Sequence, residues 1–174
     1  RCFDAFSGAS TPIFMDVLSL MPQGLIIRSS SIHAAGCYTT RPFKKGSRVC
    51  EYEGPRFTKE VADERYKDRF VTYLFSCGDD GMVIDGFGTA MFINHSCDPN
   101  CETEDHGGRV YIVAVRDIAA GEELTYEYNL CDSDDAEADC YCGAATCRGT
   151  MFSEAELKRR ARVSKRLERK AKRS

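Results

Sequence analysis

The 174-residue sequence lacks three features that would each assign a chain to a large class of proteins. No stretch approaches the roughly 20 apolar residues that a membrane-spanning helix needs, so we predict no membrane partner. No Gly-x-Gly-x-x-Gly motif and no long alternation of strands and helices is present, which counts against a doubly wound nucleotide-binding fold. With 43% hydrophobic and 29% charged residues, the chain is sized for one domain with small appendages.

The third missing feature is a disulfide framework, although the chain has ten cysteines. Five stand singly among apolar neighbours, where free cysteine behaves as a small buried hydrophobe: Cys2, Cys37, Cys50, Cys77 and Cys101. That pattern favours a reducing, intracellular compartment.

Cys140, Cys142 and Cys147 lie close enough to present three thiolates to one zinc ion, which takes four ligands in a structural site. Cys97 and Cys131 compete for the fourth place, and a disulfide with an odd thiol is the alternative to a metal.

Two segments place polar side chains where core or turn residues are usual. Asn94, His95, Ser96 and Cys97 follow the apolar residues 91–93, so an amide, an imidazole and a thiol enter the interior. Residues 121–128 end in two tyrosines, Tyr126 and Tyr128. On an extended strand this spacing turns both phenols to the same side. Two phenol hydroxyls on one wall suit a cationic or partly neutral amine.

Most of the remaining chain reads as short strands. Residues 48–53 and 109–115 are rich in β-branched and aromatic side chains and are bounded by glycines, which predicts two strands. Residues 58–69 contain good helix formers after a capping Thr58, which predicts a helix of about three turns. We therefore expect a mainly β fold with few short helices.

These segments together resemble the SET domain of protein-lysine methyltransferases. Further motifs match in the expected order: a first cofactor-binding motif at 31–38, the following turn at 41–46, a substrate-channel strand at 73–75, a central strand end at 83–86 and a zinc-binding post-SET segment at 140–149. Ala34 stands where that family usually has glycine. The resemblance implies small curved sheets of the β-clip type around a threaded, knot-like loop that carries Asn94 and His95.

The resemblance also implies a division of the chain and a ligand set. The expected parts are an N-terminal flank at 1–22, a SET domain at 23–130, a post-SET segment at 131–152 and a basic tail at 153–174. The family supplies Cys97 as the fourth zinc ligand beside Cys140, Cys142 and Cys147. Since residues 131–152 have little apolar content, metal binding must supply much of their ordering free energy and fasten them over the active site.

The activity implied by the resemblance is methyl transfer from S-adenosylmethionine to the ε-amine of lysine in a basic protein, a histone or another lysine-rich protein. Tyr128 matches the catalytic tyrosine, which orients the amine. With a phenol pKa near 10 it is a poor base at neutral pH, so water is the expected proton exit. Tyr126 occupies the position that limits the number of methyls, which predicts mono- or dimethylation. Tyr73 is expected to line the same channel and to approach the cofactor.

The same resemblance assigns the cofactor-binding residues. Gly36 permits a close backbone approach, and Cys37 and Tyr38 offer peptide groups to the amino-acid end of the cofactor. Asn94 contributes its side-chain amide and His95 largely its backbone. The apolar side chain expected to cover the adenine is that of Phe152.

Charge separates the two ends of the chain. The tail at 153–174 has ten basic and three acidic residues, a net charge of +7, and residues 1–152 carry a net charge of −10. An acidic body attracts a lysine-rich substrate. Acidic residues that would rim its cleft lead into the zinc segment: Asp132, Asp134, Asp135, Glu137 and Asp139. For the tail, a disordered solubilising segment, a polar helix on the domain and a nucleic-acid-binding arm all stay open.

A second class of function is a catalytically inactive, zinc-stabilised reader that binds basic peptides in the acidic cleft. Residues 1–22 hold no cysteine cluster of the kind that often precedes this domain in eukaryotic histone enzymes, which favours a compact or microbial form. The expected location is the nucleus in a eukaryote and the cytoplasm in a microbe. The sequence predicts no particular oligomeric state.

Overall fold

A computed structural model describes residues 24–68, 73–77, 81–130 and 138–172. The expectations for the N-terminal flank, for Cys2 and for Cys131 fall outside these ranges, as do the predicted rim acids Asp132, Asp134, Asp135 and Glu137. Across the described ranges, no helix is both long enough and apolar enough to cross a bilayer.

The described part is mainly β, as predicted, and its strands are short. They are β1 Leu25–Ser29, β2 Ala35–Thr39, β3 Arg48–Glu51, β4 Arg56–Thr58, β5 Leu74–Cys77, β6 Met82–Asp85, β7 Asn94–His95, β8 Cys101–His106, β9 Arg109–Ala114 and β10 Thr125–Tyr126. The helices are α1 Lys59–Tyr66 and α2 Glu154–Ala171, and Thr89–Phe92 forms a single 3-10 turn. Strands β3 and β9 confirm the two strands predicted from β-branched and aromatic residues.

The strands form four small sheets. β1 pairs antiparallel with β2, β9 lies between β3 and β8, and β6 lies between β4 and β5. The fourth sheet is the parallel pair of β7 and β10, in which Thr125 lies opposite Asn94 and Tyr126 opposite His95. This parallel register brings the two polar segments of the sequence side by side.

The core lies where these sheets meet. Its most completely buried large side chains are those of Ile84, Ile93, Ile112, Ile118 and Leu124. Cys37, Cys50 and Cys101 pack in the same cluster as free thiols, which confirms the prediction that they are buried. Burial raises the pKa of Cys37 and that of Cys101 to about 12, so both thiols stay protonated.

A buried asparagine holds the parallel β7 and β10 segments in place. The Asn100 side-chain amide donates to the Glu123 carbonyl at 2.8 Å, and its Oδ1 accepts from the Thr125 N–H at 2.9 Å. Asn100 is only 3% exposed. Backbone polar groups beside this short parallel pair lie inside the protein and need hydrogen-bond partners. Asn100 supplies partners for two of them, the Glu123 carbonyl and the Thr125 N–H.

The two helices differ from the expectations in instructive ways. Helix α1 is capped by the Thr58 hydroxyl, as predicted, but ends at Tyr66 after eight residues. Only Ala62 of α1 is buried, so little packing supports a longer helix.

For the basic tail the helical interpretation holds, since α2 runs for 18 residues. Its contact with the domain stops at Arg160, because residues 161–172 are exposed.

Candidate active site

Four aromatic rings converge beside the β7 and β10 pair. The ring centroids of Tyr126 and Tyr128 lie 4.9 Å apart, which confirms that the two tyrosines share one side. Phe75 of β5 lies 6.4 Å from Tyr126 and 5.1 Å from Tyr52. These separations are typical of packed aromatic pairs, so the four rings form one wall.

The two neighbouring phenols have different hydrogen bonds. The Tyr128 hydroxyl donates to the Ile93 carbonyl at 2.9 Å, which leaves its oxygen lone pairs able to accept. The Tyr126 hydroxyl has no hydrogen-bond partner within the described residues, although Tyr126 is only 6% exposed. Burial, with a contribution from Tyr73, raises the pKa of Tyr128 to about 12. Burial likewise raises the pKa of Tyr126, so both phenols are neutral at physiological pH.

Tyr73 is attached to this wall through its backbone. Its carbonyl accepts from the Tyr52 hydroxyl at 2.9 Å and from the Gly86 N–H at 2.8 Å. The Tyr73 side chain is 40% exposed. The structure therefore places Tyr73 at the open edge of the aromatic wall, with Tyr52 as its anchor.

The predicted cofactor loop is organised by a carboxylate that the sequence analysis did not single out. Glu123 accepts from the Ser30 hydroxyl at 2.7 Å, from the Tyr38 hydroxyl at 2.8 Å and from the Asn94 side-chain amide at 2.8 Å. A Cβ on Gly36 would overlap the same carboxylate. Glu123 thus joins three of the predicted cofactor residues, Gly36, Tyr38 and Asn94, in one network.

The loop between β1 and β2 contains a strained alanine. Ala34, which replaces the usual glycine, has φ +26°, a backbone conformation that side chains with a Cβ rarely adopt. The Ala35 carbonyl accepts the second Asn94 amide hydrogen at 3.0 Å. The loop is therefore held to Asn94 in spite of the unfavourable residue at position 34.

His95 connects the aromatic wall to the cysteine cluster through its side chain, in addition to the backbone role that we expected. The Tyr128 N–H donates to His95 Nδ1 at 3.2 Å, and Nε2 lies 3.4 Å from Cys97 Sγ. Burial lowers the pKa of His95, so its imidazole is neutral. Glu127 lies 3.4 Å from Nδ1 and is held by a 2.5 Å ion pair with Arg148.

Cys97, Cys140, Cys142 and Cys147 come together in the way that the family resemblance predicted. Their four sulfurs all lie within 4.8 Å of one another, and the Cys97 and Cys140 sulfurs are 3.8 Å apart. A tetrahedron with zinc–sulfur bonds of about 2.3 Å has edges of about 3.8 Å. The cluster therefore has the ligand type, number and approximate spacing of a zinc site, and the four cysteines are free thiols rather than disulfides.

Backbone N–H groups donate to two sulfurs of this cluster. The Cys97 N–H donates to Cys142 Sγ at 3.5 Å, and the Arg148 N–H donates to Cys97 Sγ at 3.5 Å. Burial raises the pKa of Cys142, but the N–H groups of Cys97 and Ala144, together with the thiols of Cys140 and Cys147, lower it to about 6. Burial raises the pKa of Cys97 and that of Cys140, the latter to about 12. Backbone N–H donors of this kind commonly surround metal-bound sulfur.

The described residues that follow β10 pair with one another. Leu130 bridges to Phe152 in parallel, and Met151 donates its N–H to the Ala138 carbonyl at 2.7 Å. Phe152, the predicted adenine cover, is 7% exposed, with the Arg160 guanidinium 3.9 Å above its ring. Phe152 is therefore buried between its pairing with Leu130 and the Arg160 side chain of α2.

Comparison with known proteins gives this arrangement a family. A family model described as the SET domain matches residues 34–129, which is more than half of the chain. The chain belongs to the SET-domain family. The match spans the loop of Gly36, the β7 and β10 pair and both phenols, and it ends before the cysteines that follow Asp139.

Relatives of this SET-domain chain are much longer proteins. The H3 lysine-4 specific histone-lysine N-methyltransferase of Eremothecium gossypii is 42% identical over 162 residues, 84% of this chain and 16% of that protein. The Saccharomyces cerevisiae protein of the same description is 38% identical over 162 residues, covering 84% of this chain and 15% of that protein. The histone-lysine N-methyltransferase set1 of Dictyostelium discoideum is 35% identical over 161 residues, covering 86% and 11% respectively. The chain thus spans less than a fifth of these relatives.

Three residues that organise the site were not predicted from the sequence: Tyr52, Asn100 and Glu123. A usable signal existed for Glu123, because an acid directly before the buried Leu124, Thr125 and Tyr126 must find partners. No local signal identified Tyr52, whose hydroxyl partner lies 21 residues away. Because Tyr52 lies within the predicted strand at 48–53, the sequence indicated only that its ring packs in the core.

Proposed function

We propose that this SET domain transfers a methyl group from S-adenosylmethionine to the ε-amine of a lysine in a basic protein. The observation that carries the proposal is the pair of adjacent neutral phenols, Tyr126 and Tyr128, with their ring centroids 4.9 Å apart beside Asn94 and His95. The Tyr126 hydroxyl has no partner within the part of the chain that the structure describes, and the Tyr128 oxygen can accept a hydrogen bond. Such a pair recognises an amine by hydrogen bonds rather than by an opposite charge.

Several groups of the chain fit the methyl donor. The Asn94 Oδ1 accepts no hydrogen bond within the described residues, which leaves it able to accept from the donor's ammonium group. The backbone around Gly36, Cys37 and Tyr38 lies against the same network. When bound, S-adenosylmethionine supplies a methyl group on a positively charged sulfonium. Phe152 is the side chain proposed to cover the adenine; Arg160 lies over its ring, so the guanidinium has to move before an adenine can pack on that face.

The residues of the chain favour the neutral, reactive form of lysine. A lysine amine has an unperturbed pKa near 10.4, so few molecules are neutral at pH 7. The wall of Tyr52, Phe75, Tyr126 and Tyr128 offers apolar ring faces, and desolvation there lowers the amine pKa. Because burial raises the pKa of Tyr128 to about 12, its phenol orients the amine and does not remove the proton. Water carries the proton away.

The degree of methylation is expected to be mono- or dimethylation. The Tyr126 hydroxyl is free within the described residues and can hold a water molecule or the amine nitrogen. Either partner occupies space that an amine with two methyl groups needs in order to rotate. Trimethylation is therefore disfavoured.

Zinc is proposed as a structural ion at Cys97, Cys140, Cys142 and Cys147. Because Cys97 belongs to the segment of Asn94 and the other three follow the SET domain, the ion ties the expected post-SET segment at 131–152 to the active site. The pairing of Leu130 with Phe152 supports the same docking. The ion holds the fold of the segment and takes no part in methyl transfer.

A histone is the substrate that the relatives' names favour, because the Eremothecium and Saccharomyces proteins are described as H3 lysine-4 specific. The net charge of −10 on residues 1–152 suits such a basic partner. Since these relatives are eukaryotic histone enzymes, we place the protein in the nucleus.

The test is transfer of an isotope-labelled methyl group from S-adenosylmethionine to a panel of histones and cell extract. Label is expected on a histone, and not on the same histone with its lysines chemically acetylated beforehand. A protein that binds basic peptides but transfers no label to any panel member, with or without added zinc, would support the inactive reader instead.

A further inference from the structure

The outer part of α2 has a charge pattern that methyl transfer does not use. Residues 161–172 are all exposed. Against a single acid, Glu168, this part has six basic residues: Arg162, Lys165, Arg166, Arg169, Lys170 and Lys172. This part of α2 buries no face against the described part of the domain, so packing does not account for its basic residues.

Local contacts fix the start of α2, and the Ser153 N–H donates to the Leu130 carbonyl at 3.1 Å. The Ser153 hydroxyl caps the helix by accepting from the Glu156 N–H at 3.1 Å. Glu156 is 5% exposed and accepts from Arg159 at 2.7 Å and from Arg160 at 2.8 Å. The Arg160 guanidinium also covers the Phe152 ring. Residues 161–172 extend beyond this fixed start and form a positively charged arm.

Four cations of the arm share one side of the helix. Arg162, Arg166 and Arg169 follow the spacing of neighbours on a helix face, and Lys165 lies beside them. Together with Lys170 these residues line a shallow groove along α2. Among the described residues, none of Arg162, Lys165, Arg166 and Arg169 makes an ion pair. Their charges are therefore available to a partner.

We propose that the outer part of α2 binds the phosphate backbone of duplex nucleic acid. A duplex carries one negative charge per about 1.7 Å of its axis, which suits closely spaced cations along a helix. The sequence of α2 has no aromatic residue, so it lacks the stacking groups that single strands use. The acidic body repels phosphate, which confines the contact to this arm.

An acidic protein surface is the competing partner, and the composition of the arm argues against it. Protein interfaces draw most of their binding energy from buried aromatic and large apolar anchors together with arginine. The large apolar residues of the exposed arm are Val163 and Leu167 alone. Charge without apolar anchors is the pattern of backbone binding to nucleic acid.

The experiment measures binding of the full chain to a fluorescent DNA duplex of about 20 base pairs by anisotropy, between about 50 and 200 mM salt. The test variant is R162Q/K165Q/R166Q/R169Q, since glutamine preserves helix propensity. The matched control removes four exposed cations from the body, K44Q/K45Q/K59Q/K67Q, and so changes the net charge equally. Circular dichroism checks that both variants stay folded. Neither methyl donor nor histone is needed, so the result is independent of the proposed enzyme activity.

We expect the α2 variant to bind at least about tenfold more weakly at low salt and to lose about three to four units of the salt slope. The control variant should stay within about threefold of the unmodified chain. Three outcomes would overturn the proposal: no binding by the unmodified chain, equal losses in both variants, or equally tight binding of poly-glutamate in place of the duplex. Equally tight binding of poly-glutamate would show that the arm binds an acidic protein surface instead.

Discussion

The carboxylate of Glu123 occupies the space that a side chain on Gly36 would need. The same carboxylate accepts hydrogen bonds from Ser30, Tyr38 and Asn94, so it cannot move aside without breaking them. Gly36 is therefore required by the packing of the chain itself, in addition to any ligand that lies against it.

Gly36→Ala is expected to lower the free energy of unfolding by about 1–3 kcal/mol, because an added methyl group in a filled space displaces its neighbours. Denaturant unfolding measures the change. In a Glu123→Ala background the same substitution should cost at least about 1 kcal/mol less, since the overlapping group is gone. Equal costs in both backgrounds would show that Glu123 is not the reason for the glycine.

Ala34→Gly is expected to raise the free energy of unfolding by about 0.5–1 kcal/mol, because glycine adopts the positive φ of this loop without strain. The matched control is Ala35→Gly, one residue later in β2, which should lower the same quantity by about 0.5–1 kcal/mol. Thermal and denaturant unfolding distinguish the two. A loss of stability in both variants would contradict the strain at Ala34.

Purified protein is expected to contain about one zinc per chain. Cys97→Ala should reduce the content severalfold, because three ligands remain of four and the body of the domain no longer holds the ion. Elemental analysis measures the content, and Cys101→Ala, which removes a buried thiol outside the cluster, should leave it unchanged. Carefully prepared protein without zinc would refute the site.

The sequence predicted those parts of the site that depend on local spacing or on the chemistry of one residue type. The thiols of Cys140, Cys142 and Cys147 are separated by few residues, so their convergence could be expected. Strand geometry predicted two phenols on one wall; the phenols do share a wall, although β10 ends at Tyr126 and Tyr128 lies beyond it. The family resemblance was needed to choose Cys97 over Cys131, because 43 residues separate Cys97 from Cys140.

Other features depend on contacts between distant segments, and their local sequence does not encode them. Glu123 meets Ser30 across 93 residues and Tyr38 across 85 residues, so neither partner could be read from its surroundings. Helix propensity overestimated α1, whose apolar residues find little core to pack against. The same approach left the state of α2 open, because composition alone does not separate a charged helix from a disordered tail.

Tyr126→Phe is expected to shift the products toward a higher degree of methylation, because the hydroxyl that holds a water molecule or the amine is removed. Mass spectrometry of a methylated histone peptide measures the distribution. Tyr52→Phe is the comparison, since its hydroxyl donates to the Tyr73 carbonyl; we expect a slower reaction with unchanged products. An unchanged distribution for Tyr126→Phe would remove its role in limiting methylation.

The single-turnover rate of methyl transfer by Tyr128→Phe shows whether this phenol orients the lysine amine. We expect it to fall by at least about 100-fold, because the phenol oxygen that orients the amine is lost while the ring remains. Tyr111→Phe, a change in β9 away from the aromatic wall, should react within about twofold of the unmodified chain. A Tyr128→Phe protein that transfers methyl groups as fast as the Tyr111→Phe protein would contradict the account.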